Sequence, residues 1–81
     1  MRFDRDEHGD WLVDPSDLAR RLGLTSGDLR RRMRLGLVTS RIERGSDEDE
    51  GRLRVTVRVG STAWQGTFNE AGRLISEGLL P

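Results

Sequence analysis

The sequence contains no cysteine, no lysine and no tyrosine, and its single histidine is His8. The absence of cysteine excludes disulfides and thiolate chemistry, and the absence of lysine excludes Schiff bases and a P-loop. One histidine in a predicted exposed turn offers too few ligands for a zinc site and too few partners for a catalytic triad. We therefore expect no enzymatic activity, no metal site and no cofactor.

Long apolar runs are also absent. No segment approaches the roughly 18 apolar residues of a membrane-spanning helix, and the N-terminal segment MRFDRDEHGD lacks the apolar stretch of a signal peptide. With 33% hydrophobic and 35% charged residues, the composition is that of an ordinary folded domain. We expect the 81 residues to form one small cytoplasmic domain.

The charges cancel over the whole chain but are unevenly distributed along it. The net charge is −4 for residues 1–17, +6 for residues 18–44 and −2 for residues 45–81. This distribution predicts a basic patch on an otherwise acidic molecule, and such a patch favours an anionic partner.

Residues 14–36 carry most of the basic patch, and we predict that they form two short helices joined by a turn. Asp14 is a suitable N-cap before Pro15, and Gly23 is a suitable left-handed residue to end the first helix. Thr25 begins a capping pattern for the second helix, which Gly36 ends. Apolar residues at helical spacing are Leu18, Ala19, Leu22, Leu29 and Met33.

Arginines occupy the polar sides of both predicted helices. They include Arg20 and Arg21 on the first helix and Arg30, Arg31 and Arg34 on the second. Like charges one turn apart on a helix cost about 0.2–0.5 kcal/mol per pair, so a compensating anion is expected. We predict that these five residues bind a partner.

One internal candidate for that anion is the segment GSDEDEG, whose four successive carboxylates occupy residues 47–50. The segment lacks the ligand spacing of an EF-hand calcium loop, so a cation site is not expected. It is either solvated or paired with the arginines of the second helix. Intramolecular neutralisation and an external partner both stay open at this point.

Alternation of apolar and polar residues predicts an antiparallel sheet after the helices. The alternation is strictest in residues 52–59, which we predict to form a strand. A two-residue hairpin turn at residues 60 and 61 connects it to a second, antiparallel strand at residues 62–69. Residues 37–43 supply another strand, and residues 73–76 add either a fourth short strand or a half-turn of helix.

The predicted fold class is therefore α+β. The polar turn Asp6-Glu7-His8-Gly9 predicts an N-terminal hairpin with Phe3, Trp11 and Val13 buried. The predicted parts are the hairpin (residues 1–13), the two-helix unit (14–36), a three- to four-strand antiparallel meander (37–76) and a frayed tail (77–81).

The two-helix unit resembles the helix-turn-helix of bacterial DNA-binding regulators. DLARRLGL is similar to the first helix, Leu24-Thr25-Ser26 to the turn and GDLRRRMR to a recognition helix. The resemblance implies that the arginines enter the DNA major groove and that a following hairpin forms a wing. No third helix is visible in the sequence to complete the usual trihelical core.

A longer stretch, RMRLGLVTSRIERGSDEDEGRLRVTV, resembles a family of short uncharacterised bacterial proteins known only as a domain of unknown function. The similar positions are Met33, Gly36, Thr39, Ser40, Glu43, Gly45, Asp49, Gly51, Arg52, Arg54 and Thr56. The resemblance implies one structural unit and no particular activity. Glu43, Arg52 and Arg54 flank the acidic segment, where a cross-strand ion pair would fix the register of the two strands.

These observations favour a non-catalytic interaction module whose basic helix binds an acidic protein surface. A DNA-binding regulator with a helix-turn-helix and a β-wing is the alternative. The sequence specifies no oligomeric state.

Overall fold

The computed structural model of the chain describes residues 3–5 and 11–80, with the side chains of residues 13–48 and 50–80. In chain order the elements are β1 (Phe3–Arg5), β2 (Trp11–Val13), α1 (Pro15–Leu22), α2 (Ser26–Arg34), β3 (Val38–Arg44), β4 (Leu53–Val59), β5 (Thr62–Phe68) and β6 (Leu74–Leu80). The predicted α+β fold, with two helices followed by an antiparallel sheet, is confirmed.

Strands β1 and β2 pair antiparallel, with Phe3 opposite Val13, as the predicted N-terminal hairpin requires. The turn predicted at residues 6–9 lies outside the described residues, as do the side chains of Phe3 and Trp11. Val13 is half-buried against the core.

Both helices begin and end where their capping residues predict. The side chain of Asp14 caps α1 through a backbone-amide hydrogen bond of 2.8 Å, and that of Thr25 caps α2 through one of 3.1 Å. These bonds satisfy amide groups that a helix N-terminus otherwise leaves without partners. Gly23 and Gly36 follow the two helices with φ values of 74° and 71°, in the left-handed region that stops a helix.

The four long strands form a meander in the order β3-β4-β5-β6. Gly60, with φ 61°, and Ser61 join β4 to β5 as the predicted two-residue turn. Strand β6 differs from the prediction because it continues through Leu80, so the residues expected as a frayed tail belong to the sheet. Glu77, in the middle of β6, makes side-chain contacts with α1 and β5 that hold the strand in place.

The register of β3 with β4 places Glu43 opposite Arg54, two of the three residues that were expected to form a cross-strand ion pair. The carboxylate oxygen Oε1 of Glu43 instead lies 4.0 Å from Nε of Arg41 on its own strand. The pairing of β3 with β4 is continuous from Val38 to Arg44.

The helices cover one face of the sheet over its central strands. Leu18 and Ala19 of α1 and Leu29 of α2 are buried against alternating residues of β4 and β5. These sheet residues are Val55, Val57, Val59, Trp64 and Phe68. The helices do not fully cover β3, and Ile42 on that strand is 45% exposed.

Candidate functional site on helix α2

Helix α2 presents arginines on the side opposite its buried residue. Leu29 is 0% exposed and anchors the helix to the sheet. At about 100° of rotation per residue, Arg30, Arg31 and Arg34 fall within an arc of about 100° on the far side. All three side chains are exposed. We call these three residues the basic face.

Among the described side chains, little negative charge lies close to the basic face. Nη2 of Arg31 lies 3.8 Å from Oδ1 of Asp28, with both side chains about half exposed or more. Exposed pairs of this kind contribute at most about 1 kcal/mol and are weakened by salt. Arg30 and Arg34 make no ion pair with any side chain that the structure describes.

The acidic segment, residues 47–50, lies at the other end of β3 from α2. It forms the short 3-10 turn Asp47–Asp49 just after β3, whereas α2 ends just before β3 begins. The seven residues of β3 separate the two by about 20 Å. Among the side chains described in residues 47–50, none pairs with the basic face. Among the described residues, the basic face therefore stays exposed.

The two arginines of α1 have different surroundings. Arg20 is highly exposed and pairs with Asp17 on its own helix at 3.1 Å. Arg21 is partly buried, and its Nε donates a hydrogen bond to Oε1 of Glu77 at 2.8 Å. Of the five arginines predicted to bind a partner, the structure brings three together on α2 and places Arg21 in a contact between α1 and β6.

Glu77 connects α1, β5 and β6 in a network that was not predicted. Besides the bond from Arg21, its Oε1 accepts a hydrogen bond from Nε1 of Trp64 at 3.0 Å. Trp64 is 1% exposed, so Glu77 supplies the acceptor that the buried indole N–H requires. The pKa of Glu77 lies below its ordinary value. The hydrogen bond from Trp64 lowers it most, and the hydrogen bond and positive charge of Arg21 lower it further. Together they outweigh desolvation, which acts in the opposite direction. The sequence offers one signal for this network, which is that Glu77 is the single acidic residue in the predicted tail, beside Leu79 and Leu80.

Glu77→Ala should lower the free energy of unfolding by about 1–3 kcal/mol at neutral pH, because the indole N–H loses its acceptor. Since the pKa of Glu77 is depressed in the folded state, the charged carboxylate contributes stability above its unfolded value of 4.5. That contribution disappears as the pH falls through the lower folded pKa. Urea unfolding of both proteins across the acidic and neutral pH range measures the difference in the free energy of unfolding, which should shrink in acid.

The control is Glu77→Gln, which keeps an acceptor oxygen and should therefore lose less of the free energy of unfolding than Glu77→Ala. A penalty for alanine that does not change with pH would contradict this role.

Exposed apolar side chains border the basic face. Met33 on α2 is 53% exposed, and Leu35 and Leu37, in the connection to β3, are 63% and 56% exposed. Although Met33 lies one helical turn after Leu29, only Leu29 is buried. Arginine and methionine are enriched in protein–protein interfaces, whereas surfaces that bind DNA are more polar.

Several clefts lie away from the basic face. One of about 620 Å³ crosses the open face of the sheet and includes Arg54, Gln65 and Thr67 in its lining. Another of about 260 Å³ lies between the helix pair and the β4–β5 turn, and it includes Arg32, whose buried Nε has no hydrogen-bond partner among the described residues. Within residues 3–5 and 11–80, no group of three or more acidic or histidine side chains could hold a metal ion. No described helix is long and apolar enough to cross a membrane.

Comparison with known proteins identifies a family and no relative of known function. No curated protein and no solved structure matches the chain. The model of one family, described as a family of unknown function (DUF6522), matches residues 1–80. The match covers both helices and the whole sheet, in agreement with the family resemblance in residues 32–57, while the helix-turn-helix resemblance stays a prediction. The chain therefore belongs to the DUF6522 family, a family of unknown function.

Proposed function

We propose that this chain is a non-catalytic, cytoplasmic interaction module whose basic face binds an acidic protein surface. The observation that carries the proposal is the exposure of Arg30, Arg31 and Arg34 on one side of α2, beyond the reach of the chain's own acidic segment. Guanidinium groups form strong, often bidentate hydrogen bonds with carboxylates, the groups that an acidic protein surface offers.

The apolar border of the basic face favours protein over DNA. Met33, Leu35 and Leu37 are each more than half exposed. A partner protein can cover such side chains with apolar atoms of its own and remove both surfaces from water. DNA covers such side chains less well, because much of its contact surface consists of charged phosphate oxygens.

DNA binding is the second candidate function, and one specific observation favours it. The arginines lie on the second of two short, adjacent helices, and a β-hairpin formed by β4 and β5 follows. This order matches a recognition helix followed by a wing. The described residues contain two helices, one fewer than the usual trihelical core.

The test is binding of a fluorescent oligoglutamate peptide, followed by anisotropy at low ionic strength. Reversing the basic face with Arg30→Glu, Arg31→Glu and Arg34→Glu should weaken binding about 10- to 100-fold, because each attraction becomes a repulsion. The matched control reverses three exposed arginines elsewhere, Arg54→Glu, Arg58→Glu and Arg73→Glu. The control carries the same net charge as the basic-face variant, so its loss measures long-range repulsion of the peptide, and that loss should be at least about fivefold smaller.

Two outcomes would overturn the proposal. Equal losses in the control and in the basic-face variant would show that net charge alone drives binding. Tighter binding to a random duplex than to the peptide would favour DNA, provided that the log–log salt slope approaches about −0.9 per phosphate contacted.

A further inference from the structure

We infer that the acidic surface bound by the basic face belongs to a second copy of this chain, in a symmetric dimer that pairs β3 with β3. The inference rests on the proposed function and names the partner of the same site. Three observations support the inference. The edge of β3 is open, opposite charges lie at the two ends of β3, and exposed apolar side chains lie beside β3.

The backbone of β3 has hydrogen-bonding groups directed to an open edge. The strand is outermost in the four-stranded sheet. The amide of Gly45 donates to the carbonyl of Arg52 at 2.9 Å. Because hydrogen-bonded pairs alternate along an antiparallel ladder, the odd-numbered residues of β3 direct their backbone groups to β4. The other residues direct theirs to the edge, and these are Val38, Ser40, Ile42 and Arg44.

Strand β3 carries three charged residues, Arg41, Glu43 and Arg44, but it lacks the two backbone features that prevent an edge strand from pairing with another chain, a bulge and a proline. It has seven residues and no proline, and its register with β4 is continuous along its whole length. At the opposite edge of the sheet, β6 contains a register shift beside Thr67 and Phe68. Bulges and prolines protect edges, and a long regular edge is a template for a new strand. β3 is therefore the edge open to a second copy.

Antiparallel pairing of two β3 strands brings opposite charges together. The basic face precedes β3 and the acidic segment follows it. When two copies of the strand run in opposite directions, the start of each lies beside the end of the other. The acidic segment of each copy then approaches the basic face of the other. Within one copy, Asp47, Glu48 and Glu50 make no ion pair with the described side chains. The net charge of zero adds no overall repulsion between the copies.

The same pairing covers exposed apolar side chains. A two-fold axis at Ser40 places Val38 of one copy opposite Ile42 of the second copy, on the face that carries the helices. Cross-strand apolar pairs stabilise a sheet, and Ile42 is 45% exposed in the single chain. Met33, Leu35 and Leu37 lie at the same end of β3 as the basic face and fall beside the second copy. The two sheets then form one continuous sheet with the helices of both copies on the same side.

The test uses two charge-reversal variants and their mixture. One variant carries Arg31→Glu and Arg34→Glu, and the other carries Asp47→Arg and Glu48→Arg. Each variant alone places like charges at both contacts of its own dimer, so self-association should weaken at least about 100-fold. In an equimolar mixture, both contacts again join opposite charges, and a mixed dimer should form. Sedimentation equilibrium gives the oligomeric state, and native mass spectrometry identifies the mixed dimer.

Two further variants test the location of the interface. Arg54→Glu with Arg58→Glu changes the net charge as much as the basic-face variant but lies on the open face of the sheet, so it should remain dimeric. Ser40→Pro removes an N–H that points to the edge and that β4 does not use, so it should give a monomer with the circular dichroism of the wild type.

Several outcomes would overturn the inference. They are a monomeric wild type, a mixture of the reversed variants that stays monomeric, and a folded Ser40→Pro protein that remains dimeric. A monomeric wild type that still binds oligoglutamate through the basic face would leave the proposed function intact, with the acidic surface on another protein. Loss of both dimerisation and peptide binding would reject the two proposals together.

Discussion

Leu29→Ala should lower the free energy of unfolding by about 2–5 kcal/mol. Leu29 is the buried residue of α2 and is 0% exposed, so truncation removes buried apolar surface and leaves a cavity between the helix and the sheet. A domain of this length has a total stability of about 4–12 kcal/mol, so the loss is a large share of it. Urea denaturation followed by far-ultraviolet circular dichroism measures the change.

Met33→Ala is the matched control, because Met33 lies one turn later on the same helix and is 53% exposed. Its effect on monomer stability should be about 0.5 kcal/mol or less. Equal losses at the two positions would contradict an orientation of α2 with Leu29 inward. Since Met33 borders the basic face, its truncation should instead weaken association with the partner.

Gly66→Ala should destabilise the fold by about 1–3 kcal/mol through overpacking, although replacing glycine with alanine in a strand is ordinarily favourable. A Cβ atom at this position would overlap the indole ring of Trp64 and lie 2.9 Å from Cδ1 of Leu74. The ring has little freedom to move away. Its Nε1 is bonded to Glu77, and it makes an edge-on contact with Phe68 at a centroid distance of 6.3 Å. Thermal and urea unfolding both measure the loss.

Gly78→Ala provides the control for this prediction. A Cβ atom on Gly78, in β6, would meet no atom within 4 Å, so its substitution should be neutral or slightly stabilising. A double-mutant cycle with Trp64→Leu tests the cause, because removal of the ring should reduce the penalty of Gly66→Ala. A penalty that persists in the Trp64→Leu background would reject overlap with the indole as its origin.

A symmetric dimer would explain why a chain with no net charge keeps its positive and negative residues apart. Within one copy, β3 holds the acidic segment and the basic face at its opposite ends. In an antiparallel pair of copies, this separation places the acidic segment of each copy beside the basic face of the other. Dimerisation would then compete with any other acidic partner for the basic face, so the oligomeric state would control access to it.

The elements of this fold could be predicted from the sequence because their signals are local. The capping side chains of Asp14 and Thr25, the left-handed glycines and the turn at Gly60 each act over a few residues. The alternation in β4 and β5 identifies which residues face the core. The basic patch is visible for the same reason, since charge can be counted along the chain.

Which side chains meet was decided by tertiary packing. Glu77 joins Trp64 and Arg21, which lie 13 and 56 positions away, and no local pattern relates the three. Met33 and Leu29 have the same helical signal, but only Leu29 is buried. The length of β3 keeps the acidic segment from the basic face, and the sequence left that pairing open. The physical reason is that burial depends on how the volumes of distant residues, Leu29 and Trp64 among them, fit together, and only the folded chain determines that fit.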